Sequence, residues 1–386
     1  MNWRVPLADL EYGEGEETAI LNVLRNKWLT MGAITQEFEA QFSQAIGTKH
    51  AIACSNATEA LHLACLALGV GSGSEVITPS LSFVATSNAV LYTGAEVCFA
   101  DILGQDDLTI DPDEITKNVT PKTKAIMVMH YAGYPCHMHE IIDIAKRLDL
   151  PVIEDAAHAP GATLDGKSMG TWGTIGCFSF FSNKNIATGE GGMLVTDRDD
   201  IAEKVRLLRS HGMTSLTYDR HQGHAYSYDV VDLGYNYRID EIRSALGIEQ
   251  LKKMADNNAL RKNWTERYWK SLKGIGVGLP FEGKAESSAC HIFPILLPPS
   301  IERKEFIDKL RAEGIQTSIH YPPTHRFSYY KARYGSISLP RTEYVSEHEV
   351  TLPLYPSMGA ERVDLVSEAV ARNVVSMQNK SKDNLS

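Results

Sequence analysis

The sequence predicts an α/β fold: a large domain built on a mostly parallel sheet flanked by helices, followed by a smaller C-terminal α/β domain. Three observations carry this reading. Between 51 and 154, short apolar runs alternate with segments of helical period, as in a parallel sheet covered on both faces. The 386 residues exceed one ordinary compact core. A long helical pattern from 239 to about 272 then separates the alternating region from a second, shorter group of elements. The division is a large domain over 1–250, a small domain over 251–377 and a polar, disordered tail over 378–386.

The elements follow in order. Ala19, Ile20, Val23 and Leu24 recur at helical spacing within 13–28, and Phe38 and Phe42 mark a second helix. The stretch 28–32 between them, containing Met31 and Gly32, reads as a cleft loop. A short strand at 51–54 leads through small polar residues, 55–58, into a helix over 59–68. Strands over 75–79, 96–100, 124–130 and 151–154 are interspersed with helices over 82–91 and 137–148. A buried strand at 177–181 carries one hydroxyl, Ser179. A helix through Val205 and Leu208 leads to a polar loop, 211–228, whose length suits a lid or a partner-binding arm. The small domain holds a strand over 291–297, a helix over 301–313, the segment 316–321 and a last helix from 359 to about 377. Ligands of open α/β sheets collect beyond the carboxyl ends of the strands. That rule singles out 55–58, 80–83, 130–135, 155–158 and 179–184 as one edge.

Bulk properties narrow the function classes. A net charge of −10 with no long basic run gives no electrostatic footing for nucleic acid or an anionic membrane. No run approaches a membrane span and the amino end lacks an apolar signal core, so the expected location is cytoplasmic. The six cysteines are scattered singly and read as reduced thiols. The histidines at 137, 139, 211, 221 and 224 supply no metal-ligand spacing, and no metal is expected.

The stretch 176–192 concentrates the chemistry. A strand delivers Lys184 into a loop ending in the glycine-rich turn Thr188-Gly189-Glu190-Gly191-Gly192. A lysine in a partly dry pocket loses its charge readily, and the neutral amine can form a Schiff base with an aldehyde such as pyridoxal phosphate (PLP). A solvated loop lysine is the ordinary alternative. PLP also needs a carboxylate at its pyridine nitrogen, a phosphate cup and a flat face against its ring. Asp155, ending the run Val152-Ile153-Glu154-Asp155 before two small alanines, can be the carboxylate, or a turn residue. His158 can lie near the ring or be a structural histidine. Ala57, Thr58 and Ser179 can form the cup, the first two at a helix start where backbone N–H groups converge. Phe83 can supply the flat face, or belong to the core.

These residues fall within an ordered set of motifs. They are Trp28-Leu29-Thr30-Met31-Gly32, Ser55-Asn56-Ala57-Thr58-Glu59-Ala60-Leu61-His62, Pro79-Ser80-Leu81-Ser82-Phe83-Val84-Ala85-Thr86, Glu154-Asp155-Ala156-Ala157-His158-Ala159, and Phe178-Ser179-Phe180 with Lys184. Gly234-Tyr235-Asn236-Tyr237-Arg238 and His320-Tyr321-Pro322-Pro323 complete the order. Together they resemble the sugar aminotransferases of the DegT/StrS group, PLP-dependent enzymes of fold type I, from about Trp28 to the last helix.

The resemblance implies roles position by position. Lys184 matches the Schiff-base lysine that also shuttles the proton, Asp155 the carboxylate on the pyridine nitrogen, and Ala57, Thr58 and Ser179 the phosphate cup. Phe83 matches the stacked aromatic. His158 falls where many members carry glutamine and others histidine. Asn236 matches a residue that reaches the phosphate of the neighbouring subunit, which implies a homodimer with shared sites. Relatives with histidine in place of the lysine are deoxysugar dehydratases, so Lys184 favours transamination. Met31, Gly32, Arg238, His320 and Tyr321 are the expected substrate contacts, with Arg238 suited to a bidentate grip on a diphosphate or carboxylate. Packing at a subunit interface is an equal reading of Arg238. The activity implied is amino transfer, with glutamate as donor, to a keto-deoxysugar nucleotide, leaning to a 4-keto-6-deoxy sugar, for a surface polysaccharide such as a lipopolysaccharide O-antigen or for a natural product. A keto-cyclitol substrate and a non-catalytic protein of the same fold are the alternatives.

Overall fold

The computed structural model describes residues 3–214 and 227–383. Most of the expected long loop, 215–226, lies outside the described residues. Two helices, α1 (Glu14–Asn26) and α2 (Ala33–Ile46), precede β1 (His50–Cys54), α3 (Ala57–Ala67), β2 (Glu75–Pro79), α4 (Ala85–Leu91) and β3 (Glu96–Ala100). Then come α5 (Pro112–Asn118), β4 (Thr123–Met129), α6 (Met138–Leu148), β5 (Val152–Asp155), the small hairpin β6 (Thr163–Leu164) and β7 (Lys167–Ser168), β8 (Ile175–Ser179), β9 (Gly192–Thr196) and α7 (Asp199–Arg209). The rest of the chain forms α8 (Glu241–Leu272), β10 (Phe293–Leu296), α9 (Arg303–Ala312), α10 (Ser328–Tyr334), α11 (Pro340–His348), β11 (Glu349–Leu352) and α12 (Gly359–Asp383).

Seven strands form the main sheet in the order β1-β9-β8-β5-β4-β2-β3. Only β9 runs against its neighbours, so the sheet is mostly parallel. The carboxyl ends of β1, β2, β4, β5 and β8 therefore share one edge, and the turns expected to carry function follow those ends. Strand β9 and helices α5, α10 and α11 are additions to the expected elements. Their signals were short: α5 is a seven-residue helix whose Asp111 cap accepts from Asp113 N, with Pro112 at its first position. Helix α12 runs to Asp383, past the expected stop near Met377, so most of the stretch read as a disordered tail is helical.

Period-two alternation in β8 sets the two faces. Phe178 and Phe180 point to α2, their rings 5.1 Å from Phe42 and 5.3 Å from Phe38 respectively. Burial of each such ring stabilises by about 2 kcal/mol. Cys177 packs on the other side with Leu61 and Ala64 of α3, which leaves Ser179 facing the start of that helix. Asp240 caps α8 by accepting from Arg243 N, and this 32-residue helix crosses residue 250 without a break. Its Ile248 belongs to the core beside Phe38, whereas Tyr268, Trp269 and Leu272 belong to the C-terminal core with Phe293 and Val350. The first residues also join that C-terminal part, through a parallel bridge between Val5 and Ile315.

Candidate active site

Lys184 sits in a loop between β8 and β9 that closes on itself. Phe180 N donates to Gly191 O at 2.8 Å, Thr188 N to Phe180 O at 2.8 Å, and Lys184 N to Phe181 O at 2.9 Å. Gly189 makes the turn possible with a φ of +84°, a region that a Cβ disfavours. The amine is drawn inward, with Nζ 3.5 Å from His291 Nε2. Burial lowers its pKa to about 7, against the opposing pull of the Asp155 charge. The lowered pKa makes the uncharged, nucleophilic amine far more available near neutral pH than in an exposed lysine.

Asp155 ends β5 and is buried. Its Oδ2 accepts from Thr86 Oγ1 at 2.7 Å and its Oδ1 from Ala157 N at 3.2 Å. Burial raises its pKa, and those two hydrogen bonds and the Lys184 charge pull it back. Two donors do not saturate a carboxylate, so acceptor capacity remains. His158 is also buried; its Nε2 lies 3.0 Å from the Tyr321 hydroxyl, and its Nδ1 has no hydrogen-bond partner among the described residues. Burial, then the charges of Lys184 and His320, push this ring well below the ordinary histidine pKa, so it is neutral.

The cup forms where β1 and β8 meet across β9. Gly192 pairs with Cys54 on one side and Ser179 on the other. A Cβ at Gly192 would lie 2.4 Å from the Asn56 carbonyl carbon and 2.7 Å from Ala57 N, so glycine is required for this approach. Ser179 pairs with this same glycine and its hydroxyl accepts from Phe181 N at 3.4 Å, while Ala57 and Thr58 begin α3, where the Asn56 side chain accepts from Glu59 N. Phe83 stands 55% exposed at the mouth, its ring 5.9 Å from that of Tyr321. His320 is buried behind Tyr321; its Nδ1 lies 2.8 Å from Thr351 Oγ1, and burial followed by the Lys184 charge lowers its pKa to about 3.

Among the other expected residues, Met31 and Gly32 are buried. Met31 and Gly32 open α2, where Glu241 accepts from Gly32 N at 2.8 Å, Ile34 N at 2.9 Å and Thr35 N at 2.9 Å. That carboxylate caps the helix and accounts for the local geometry. Asn236 is exposed and its backbone bridges Ser210, while Arg238 is half-buried on the same segment. The Tyr237 carbonyl ties this segment to the cup by accepting from Ser55 N at 3.0 Å. Sequence reasoning missed His291, Asn185 and Thr86 as neighbours of the site. Thr86 ends the Pro79-to-Thr86 motif, but His291 stands alone before β10 with no spacing to mark it.

The DegT/DnrJ/EryC1/StrS aminotransferase family matches residues 11–371. The chain belongs to that family. The spore coat polysaccharide biosynthesis protein SpsC of Bacillus subtilis is 38% identical over 371 residues, spanning 94% of this chain and 95% of SpsC. Among solved structures, Helicobacter pylori PseC, an aminotransferase involved in the biosynthesis of pseudoaminic acid, superposes with a TM-score of 0.90 at 29% identity, covering 96% of this chain and 99% of PseC. NtdA from Bacillus subtilis, solved with bound cofactor PMP, superposes with a TM-score of 0.84 at 32% identity, covering 94% of this chain and 82% of NtdA.

Membership makes the chain a PLP-dependent aminotransferase of fold type I. Its own residues fit that cofactor. Asp155, buried with two donors, the His158 Nδ1 with no partner among the described residues, and the Lys184 amine with its lowered pKa supply complementary polar groups, and Gly192 lets the end of β8 and β9 approach the start of α3 closely. Among the described residues, no helix is long and apolar enough to cross a membrane.

Proposed function

We propose that this aminotransferase moves an amino group from glutamate to the ketone of a nucleotide-linked deoxysugar, with a 4-keto-6-deoxy sugar the first acceptor to try. It acts as a cytoplasmic homodimer in amino-sugar synthesis for a surface polysaccharide or natural product. The observation that carries the chemistry is the pairing of a buried, unsaturated Asp155 with a Lys184 amine whose pKa is about 7. The sugar rests on the names of SpsC and PseC, which concern a spore coat polysaccharide and pseudoaminic acid.

PLP, when bound, supplies an aldehyde for the amino group and a ring that stores the electron pair released at the amine-bearing carbon. Lys184 Nζ would take the proton leaving the donor's α-carbon and give it to the cofactor carbon that bears the transferred nitrogen, then carry a proton from there to the sugar carbon in the second half of the reaction. Asp155 presents its negative charge to the pyridine nitrogen, with Thr86 keeping the carboxylate oriented. Ala57, Thr58 and Ser179 bind the phosphate, and Phe83 covers one ring face. His158 uses its free Nδ1 at the cofactor edge while Tyr321 holds Nε2. Asn236 reaches the partner's phosphate, and Arg238, His320 and Tyr321 with Met31 and Gly32 contact the substrate.

The test is a visible spectrum of purified protein loaded with PLP, before and after glutamate. A cofactor band that is absent in Lys184→Ala and shifts on adding glutamate supports the reading. A band indifferent to glutamate removes that donor, and no band after loading overturns the assignment of the site. A panel of nucleotide-linked keto sugars and keto-cyclitols then decides the acceptor class.

A further inference from the structure

A relay of buried amides reaches Lys184 from behind, and each member sets the direction of the next. The Pro160 carbonyl can only accept, so the Asn258 amide nitrogen donates to it at 2.9 Å, which leaves Asn258 Oδ1 an acceptor. The Asn185 nitrogen donates to that oxygen at 2.7 Å and to the Ala289 carbonyl at 2.7 Å. Asn185 Oδ1 is therefore an acceptor as well. His291 Nδ1 lies 2.9 Å from it and carries the ring proton. The other ring nitrogen, Nε2, is then a bare lone pair, 3.5 Å from Lys184 Nζ. Asn185, Asn258 and His291 are each at most 5% exposed, so water offers no substitute partner that would let the relay reverse.

We propose that His291 is a positioning residue for Lys184, an obligate hydrogen-bond acceptor locked by the Pro160, Asn258 and Asn185 relay. It takes one N–H of the amine and leaves the amine's own lone pair available to the reacting carbon. The opposite tautomer would aim an N–H at Lys184 and occupy that lone pair, removing the base. The inference rests on the reading of Lys184 as proton carrier. The ring also stays singly protonated: burial first, and then His158, Lys184, Arg261 and His320, oppose a second proton on His291. The groups acting electrostatically with Lys184 are the Asp155 carboxylate, which favours the ammonium, and the His158, His291 and His320 rings, which are neutral; the Tyr321 hydroxyl is bonded to His158.

The experiment uses cofactor-free protein, so a failed activity assay cannot be confused with a failed relay. Nitrogen NMR of protein labelled with [15N]histidine, with His291 assigned by its loss in His291→Gln, is expected to show Nδ1 protonated and Nε2 bare. Protonation on Nε2 overturns the proposal. In parallel, acetic anhydride labelling of Lys184 across pH, read by peptide mass spectrometry, gives the pH at which the amine becomes reactive. His291→Leu removes the acceptor that stabilises the ammonium, so the midpoint is expected to fall by about one pH unit, a tenfold change in proton affinity. His291→Gln, whose carbonyl oxygen can accept from Nζ, is expected to restore at least half of that shift. An unchanged midpoint in His291→Leu overturns the proposal. Should that variant not fold, the native tautomer and the midpoint of Asn185→Leu, which releases the ring to turn and so is expected to move away from the native value, decide instead. The glutamate-induced spectral change of the loaded native protein tests the underlying function separately.

Discussion

Glu154 and Asp155 are adjacent carboxylates on one strand, both buried, and the pleat turns them to opposite faces of the sheet. Glu154 is held by three donors: its Oε2 accepts from His130 Nε2 at 2.9 Å and Gly170 N at 2.7 Å, and its Oε1 from Gly173 N at 2.5 Å. The His130 donor is itself determined, because Cys136 N donates to the other ring nitrogen at 3.1 Å. Asp155 has two donors and faces the Lys184 edge. One carboxylate is closed off by its own chain and ties a turn to the sheet, while the other retains capacity for a ligand. Both are buried carboxylates, so what distinguishes them is the set of partners, three donors from a turn and a histidine against two beside the Lys184 edge.

Substitution should separate the two, beginning with the largest effect. Asp155→Asn keeps the shape but removes the charge offered to the pyridine nitrogen. We expect kcat to fall by about 10³-fold while the protein stays folded, checked by steady-state rates alongside circular dichroism. Glu154→Gln should do the reverse. An amide nitrogen would meet the Gly170 or Gly173 N–H, and urea unfolding should show a loss of about 3 kcal/mol with the cofactor band of the folded fraction intact. If Glu154→Gln instead abolished turnover without loss of stability, the comparison would fail.

Thr86→Val is the smallest change and the sharpest. It deletes one hydrogen bond to Asp155, worth about 1 kcal/mol. Thr86 donates to the ionised form and so lowers the Asp155 pKa; without it the pKa rises further. Cofactor retention needs the carboxylate, so retention fails as pH falls through that pKa, and the acid limb in Thr86→Val should move to higher pH. Absorbance of the loaded protein during an acid titration reads this directly. Glu154→Gln should leave the limb where it is.

Much of this architecture was legible in the chain. Apolar runs and helical spacing located β1 to β5 and helices α3, α4 and α6 between them, because both periodicities are local properties. The strand-end rule then assembled Thr58, Phe83, Asp155 and Ser179 on one edge, with Lys184 in the following loop. Strand β9 was less legible: it follows a glycine pair, is five residues long and reverses direction, and nothing local reports whether a short apolar run is parallel to its neighbours. What holds the Met31 and Gly32 segment in place was not legible, because its capping partner, Glu241, is more than 200 positions away.

The sequence by itself determined the fold class, the ordered motifs and the chemical types available at the sheet edge. Only the tertiary structure decided which partners surround each of two neighbouring acids, and which ring nitrogen faces an amine 107 positions away. The physical reason is that periodicity and capping act over a few residues, whereas saturation and tautomer are set by hydrogen-bond partners that folding brings together from distant parts of the chain.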